Sequence, residues 1–299
     1  MSERWIGIDV GGTGIKGALV DAAGTIHETC ALPTPVALQA EGIEHSILGA
    51  IRELLASGAA VAGIGVGTAG RIDSREGTVV YATDNLPGWS GRTLRANLMR
   101  ELGMPVVVHN DANAAAIGEG WLGGASGARH YAMITLGTGV GGAIVHNDRL
   151  ITGHHWAAGE FGHSILYPDG LACNCGQRGC LEQYVSGTAL DRAAREIEPG
   201  WDAQQLMESY RIGDERAKQA VGSFLRDLSV ALHSVQAMFD PERLVIGGGV
   251  AESHPLWWDS LLRRLAAISS QPIRIEPARL GNRAGQLGAA RAAMLKGEM

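Results

Sequence analysis

Two short passages constrain the fold of this 299-residue chain more than any others. Each sets a glycine–threonine turn between two apolar runs. The first is residues 5–10, Gly11-Gly12-Thr13 and residues 15–20; the second is residues 131–136, Gly137-Thr138-Gly139 and residues 140–145. Apolar runs of this length, bounded by turn residues, read as buried strands. Two strand–turn–strand units point to a duplicated fold with two related lobes. The length agrees, being long for a single core.

The rest of the chain alternates helix and strand, the pattern of an α/β protein. A third strand is expected at 25–31. A helix follows at 43–56, with Ile43, Ile47, Ile51, Leu54 and Leu55 near helical spacing. A buried strand is expected at 61–66, a loop region at 67–88, a helix at 94–102, a strand at 105–109 and a helix from Asp111. Beyond residue 182 the chain reads as largely helical, with a long segment at 214–239 and helices at 256–268 and 284–295. A buried strand at 243–246 runs into Gly247-Gly248-Gly249. The expected division is a small N-terminal lobe, 1–112, joined by the C-terminal helix 284–297, and a large lobe, 113–283.

Composition removes several classes. The formal charge is −6 and no Lys/Arg block occurs, which argues against a nucleic-acid surface. The longest apolar runs, such as 59–69, are too short and glycine-rich to span a bilayer. Residues 1–4 run straight into WIGIDV, so no secretory leader is expected and the protein is placed in the reducing cytoplasm.

That compartment bears on the cysteines. Cys173, Cys175 and Cys180 lie within eight residues, and His163 stands ten before the first. A disulfide with a free thiol, or plain reduced core residues, are the alternatives to a metal site. Reducing surroundings and the close Cys173–Cys175 spacing disfavour a disulfide. Three thiolates and an imidazole close a tetrahedral zinc site with no position left for water, so the zinc is expected to be structural. Cys30 ends an apolar stretch and reads as an ordinary buried residue.

Four further features carry chemistry. Asp9 precedes Gly11-Gly12-Thr13, with Lys16 close behind. Glycine turns let backbone N–H groups approach phosphate oxygens, although a plain hairpin turn has the same appearance. Asp9 is suited to hold magnesium through water, since Mg²⁺ keeps much of its hydration shell. Gly137-Thr138-Gly139 offers a second phosphate turn. Gly248-Gly249 either accepts the flat face of a nucleobase or makes a tight strand-to-helix turn. Asn110-Asp111 stands at a strand end and a helix start, where a carboxylate is either an N-cap or a base held beside a cleft.

Taken together, DVGGT at 9–13, HNDANAAA at 109–116, TLGTGVGG at 135–142, GEFGH at 159–163, CNCGQRGCLE at 173–182 and IGGGV at 246–250 resemble the ROK family (repressors, open reading frames and kinases). The resemblance runs nearly end to end, and its cysteine pattern is the most specific part. It implies a two-lobed, actin-like ATPase fold of the ribonuclease H type, with the active site in the cleft. It also implies ATP-dependent phosphorylation of a hexose, most closely a glucokinase. On that pattern Asp111 is the base on the 6-hydroxyl, while Asn85, Asn110, Glu160, His163 and Glu182 hold ring hydroxyls. Asp9 orients magnesium, Gly11–Thr13 with Lys16 and Gly137–Gly139 embrace the phosphates, and Gly248 and Gly249 lie by the adenosine.

The family includes repressors, but a phosphate turn beginning at residue 9 leaves no room for a helix-turn-helix before it. GGTGIKGA also resembles polyphosphate-using glucokinases. Those relatives typically lack the cysteine cluster, so ATP is the expected donor. Glucose is the first expectation for the acceptor, with N-acetylmannosamine or N-acetylglucosamine as the alternative. The choice depends on space near the sugar's C2, set by loops such as 68–73 and 84–90. A homodimer is expected from the family.

Overall fold

The computed structural model describes residues 3–83 and 85–297; Asp84, within the loop expected to shape the sugar pocket, lies outside them. Among the described residues, strands β1 (Arg4–Val10), β2 (Gly14–Asp21) and β3 (Ile26–Pro33) lead into helix α1 (Gln39–Leu55) and strand β4 (Val61–Thr68). A small hairpin follows, β5 (Arg71–Asp73) and β6 (Thr78–Tyr81), then helix α2 (Leu94–Leu102), strand β7 (Val106–Asn110) and helix α3 (Asp111–Leu122). Next come β8 (Tyr131–Leu136), β9 (Val140–His146) and β10 (Arg149–Leu150). The remainder is α4 (Glu182–Val185), α5 (Gly187–Ile197), α6 (Ala203–Ile212), α7 (Glu215–Phe239), β11 (Arg243–Gly247), α8 (His254–Ile268), β12 (Ile275–Pro277) and α9 (Ala284–Met294).

Duplication is visible in the strand orders. One sheet runs β3-β2-β1-β4-β7 and the other β10-β9-β8-β11-β12, so a three-strand meander is followed by two outer strands in both. β1 pairs antiparallel with β2 and parallel with β4, and β11 pairs parallel with β8 and β12. The glycine turns of the sequence therefore occupy equivalent places, between the first two strands of each sheet. The hairpin β5–β6 is a correction to the sequence reading, which treated 67–88 as loop. Its strands are three and four residues long, too short for a periodic signal.

By contact density the chain divides into residues 1–127, 144–158 and 282–299 as one unit, and 128–143 with 159–281 as a second. The first unit thus continues past residue 112 and includes α3. Its core on one side of the sheet is Ile6, Ile8, Ile15 and Leu19 against Ile43, Ile47, Ile51 and Leu54 of α1, all buried as the helical spacing predicts. Helix α9 belongs to this unit and is buried nearly all round, which its sequence AGQLGAARAAM permits because small side chains let backbones approach. A Cβ added at Gly288 would lie 1.6 Å from Ala114 O on α3, and one at Gly65 of β4 would lie 1.8 Å from Ala289 O. Glycine is required at both contacts by space alone.

The second unit is built around β8, β11 and β12 with helices α5–α8. Helix α7 begins one residue after the expected start: Asp214 is its N-cap, its carboxylate accepting from the Arg216 and Ala217 N–H groups. In neither unit is any helix of the described residues long and apolar enough to cross a membrane.

Candidate active site

In the first unit, the chemistry gathers where β1, β7 and the N-terminus of α9 end together. Strand register places Asp9 directly opposite Lys16 across the β1–β2 hairpin. The tip of that hairpin is closed by the Gly11 N–H donating to Gly14 O at 3.0 Å, and Thr34 Oγ1 donates to Gly11 O at 2.7 Å. Gly12 and Thr13 are left exposed. A Cβ on Gly12 would come within 3.9 Å of Asn85 O, so the turn and the loop carrying Asn85 are neighbours. That loop is pinned by Trp89, whose buried indole Nε1–H donates to Thr68 Oγ1 at 3.0 Å at the end of β4.

The capping role that the sequence offered to the Asp111 carboxylate falls to Asn110. Asn110 is the N-cap: its Oδ1 accepts from the Asn113 N–H at 3.1 Å. Its Nδ2 donates to Gly70 O at 2.9 Å and to Asp111 Oδ1 at 2.8 Å. Asp111 is the first helical residue, and its Oδ1 also accepts from the Ala112 N–H at 2.9 Å. With both amide hydrogens of Asn110 engaged, any contact it makes with a ligand falls to Oδ1.

Burial acts on both acids, and the charge of Asp111 also acts on Asp9. Burial pushes the Asp9 carboxyl up to about 6, with the Asp111 charge adding to the rise and Lys16 opposing it. Burial also raises Asp111, while its hydrogen bonds from Ala112 and Asn110 act the other way. Gly285 of α9 lies directly against Asp9, since a Cβ there would sit 2.6 Å from Asp9 Cγ. Two neighbouring carboxylates that both resist ionisation are a good fit for a hydrated divalent cation, whose charge would oppose both rises.

In the second unit, the cysteine loop folds on itself. The Cys173 N–H donates to Gln177 O and the Gly176 N–H to Cys173 O, and Ile165 bridges to Cys180. One ligand atom each from His163, Cys173, Cys175 and Cys180 falls within a 4.8 Å cluster. Cys175 Sγ lies 3.6 Å from Cys180 Sγ, and Cys173 Sγ lies 3.8 Å from His163 Nδ1. Zn–S bonds of about 2.3 Å in a tetrahedron give S···S edges of about 3.8 Å, so the donor set fits zinc. Nδ1 is the ring nitrogen turned to the cluster. Glu160 and His163 bracket a short 3-10 turn, with the His163 N–H donating to Glu160 O.

The segment leaving this loop meets the second glycine turn. Glu182 Oε2 accepts from the Val140 N–H at 2.9 Å. The Gly187 N–H donates to Gly137 O at 2.7 Å, and Thr188 Oγ1 donates to Thr138 O at 2.7 Å. Gly248 closes against the same place, since a Cβ on it would lie 2.4 Å from Leu136 O; Gly249 has open space around it. Sequence reasoning missed Gly187, Thr188, Thr34 and Gly285. None belongs to a local motif; Thr34, Gly187 and Thr188 bond to turns remote in sequence, and Gly285 lies against Asp9.

A model of the ROK family matches residues 5–296. The glucokinase of Streptomyces coelicolor is 36% identical over 308 residues, covering 95% of this chain and 96% of that protein. The N-acetyl-D-glucosamine kinase of Salmonella paratyphi B is 33% identical over 304 residues, covering 96% and 98%. Among solved structures, the ROK family glucokinase from Streptomyces griseus, in complex with glucose and AMPPNP, is 35% identical with a TM-score of 0.85 and covers 98% of this chain and 99% of that one. The α/β fold described above is the actin-like fold of these sugar kinases.

Proposed function

The chain belongs to the ROK family, and from that premise we propose that it transfers the γ-phosphoryl group of ATP to the 6-hydroxyl of glucose. The observation that carries the reading is likeness to glucokinases over nearly the whole chain, joined to an aspartate, Asp111, anchored at a helix start with its proton affinity raised. Phosphoryl transfer runs through a loose, in-line transition state, so positioning and charge neutralisation contribute more than nucleophile activation.

Each residue has a distinct task in this reading. Asp111 accepts the proton of the 6-hydroxyl as the oxygen attacks. A base of this kind contributes roughly 10²–10⁴-fold. Asn110 orients Asp111 and offers Oδ1 to a ring hydroxyl. Asn85, Glu160, Glu182 and the Nε2 side of His163 hold the remaining hydroxyls. Zinc on Nδ1 fixes the tautomer of that imidazole, which is how a structural metal acts on sugar recognition. Asp9 would hold magnesium through water, and the ion would supply neutralisation of the phosphate charge. Lys16, Gly11–Thr13 and Gly137–Gly139 face the phosphates, and Gly248 and Gly249 the adenosine.

An N-acetylhexosamine acceptor is the second reading, favoured by the 33% identity to the N-acetylglucosamine kinase. A homodimer is the proposed assembly, on membership of the ROK family alone. The deciding experiment is ADP release with ATP and Mg²⁺ across glucose, mannose, fructose, N-acetylglucosamine and N-acetylmannosamine. Preference for glucose is expected. Preference for an N-acetyl sugar would keep the chemistry and change the substrate, and no turnover on any sugar would remove the kinase reading.

A further inference from the structure

The turn proposed to hold phosphates, Gly137–Gly139, is poor in side chains and so poor in contacts of its own. Glycine loses more freedom on ordering than any other residue. The turn's internal bond, the Gly137 N–H to Gly139 O at 2.9 Å, leaves much of the ordering to other groups, and whatever the fold does not order the ligand must, at the expense of affinity. Here it is held from behind by one short segment, 182–188, which begins two residues after Cys180. Three bonds tie it down: Val140 N–H to Glu182 Oε2, Gly187 N–H to Gly137 O, and Thr188 Oγ1 to Thr138 O. Glu182 also covers Gly139 so closely that a Cβ there would lie 2.3 Å from its Oε2.

We propose that Glu182 is a positioning residue for the nucleotide turn, acting through the Val140 N–H together with Thr188, so that the exit of the cysteine loop sets nucleotide affinity. The inference rests on the reading of Gly137–Gly139 as a phosphate turn. It gives Glu182 a task beyond a sugar hydroxyl and brings in Thr188, which has no part in sugar recognition. Its negative charge beside a phosphate turn is unfavourable in itself. The hydrogen bond is what makes a carboxylate useful there, and a neutral acceptor of the same length would serve as well.

That separates the bond from the charge. Calorimetric titration with AMPPNP and Mg²⁺, in the absence of sugar, compares the wild-type protein with Glu182→Ala and Glu182→Gln. Both variants lose the charge, and only glutamine keeps an acceptor for the Val140 N–H. Glu182→Ala is expected to bind AMPPNP roughly tenfold more weakly than Glu182→Gln, the effect of one lost part-buried hydrogen bond. Thr188→Val is expected to weaken binding in the same way and Thr188→Ser to restore it. Zinc stoichiometry and melting temperature identify any variant whose loop has not folded. Equal affinity in the alanine and glutamine variants, with only sugar binding lost, would overturn the proposal. Wild-type protein that binds no AMPPNP would remove the reading of the turn itself, and the proposal with it.

Discussion

Replacing Asp9 with asparagine should stabilise the protein while abolishing turnover, and the size of the effect follows from the site. Asp9 is lodged against Gly285 and beside Asp111, and its carboxyl is pushed from 3.8 up to about 6. A carboxyl with a raised folded pKa favours the fold when protonated. That advantage is complete below about pH 4 and is lost as pH rises through about 6. At about 1.4 kcal/mol per pH unit, ionised Asp9 then costs about 3 kcal/mol at neutral pH. Asparagine removes the charge but brings an amide that must find partners, so the expected net gain is about 1–2 kcal/mol. At about 2–4 °C per kcal/mol, Asp9→Asn should melt roughly 2–8 °C above the wild type at pH 7.5 without added magnesium. The gap should close and then reverse as pH falls toward 4, where Asp9 is protonated and only the cost of the amide is left, and saturating Mg²⁺ should raise only the wild-type midpoint. Thermal scans at four or five pH values, with kinase assays alongside, measure all three. A variant that melts at or below the wild type at pH 7.5, or a gap indifferent to pH, would refute the placement of a strained carboxylate at this position.

Asp111→Asn should lower kcat by roughly 10²–10⁴-fold while glucose still binds, read by steady-state kinetics and calorimetry; undiminished turnover would remove it from the mechanism. In the wild type, kcat/KM should fall on the acid side as Asp111 takes up a proton, with the midpoint above that of an ordinary aspartate because burial raises it. Cys175→Ser should lose zinc in metal analysis and bind sugar more weakly, since the imidazole of His163 is then unfixed; a metal-free variant with normal kinetics would show the cluster to be dispensable. Gly288→Ala should destabilise by about 1–3 kcal/mol in denaturant unfolding, because its Cβ would meet Ala114 O at 1.6 Å and backbone must move.

Several parts of the molecule were legible before any coordinates. The apolar runs around each glycine turn are strands, Ile43, Ile47, Ile51 and Leu54 form one buried helix face, and the cysteines gather with His163 into one cluster of ligand atoms. These follow from interactions between residues close in the chain, where periodicity and ligand spacing are themselves the signal. Tertiary structure decided what depends on distant segments. It assigned the cap to Asn110, whose Oδ1 accepts from the Asn113 N–H while its amide donates to Gly70 O forty positions away, and left Asp111 as the first helical residue. It carried α3 into the first unit through α9, chose Nδ1 of His163 for the cluster, and bound Glu182 to Val140 across 42 positions. A hydrogen bond between such remote groups leaves no period and no motif in either stretch. The chain specifies it only by folding.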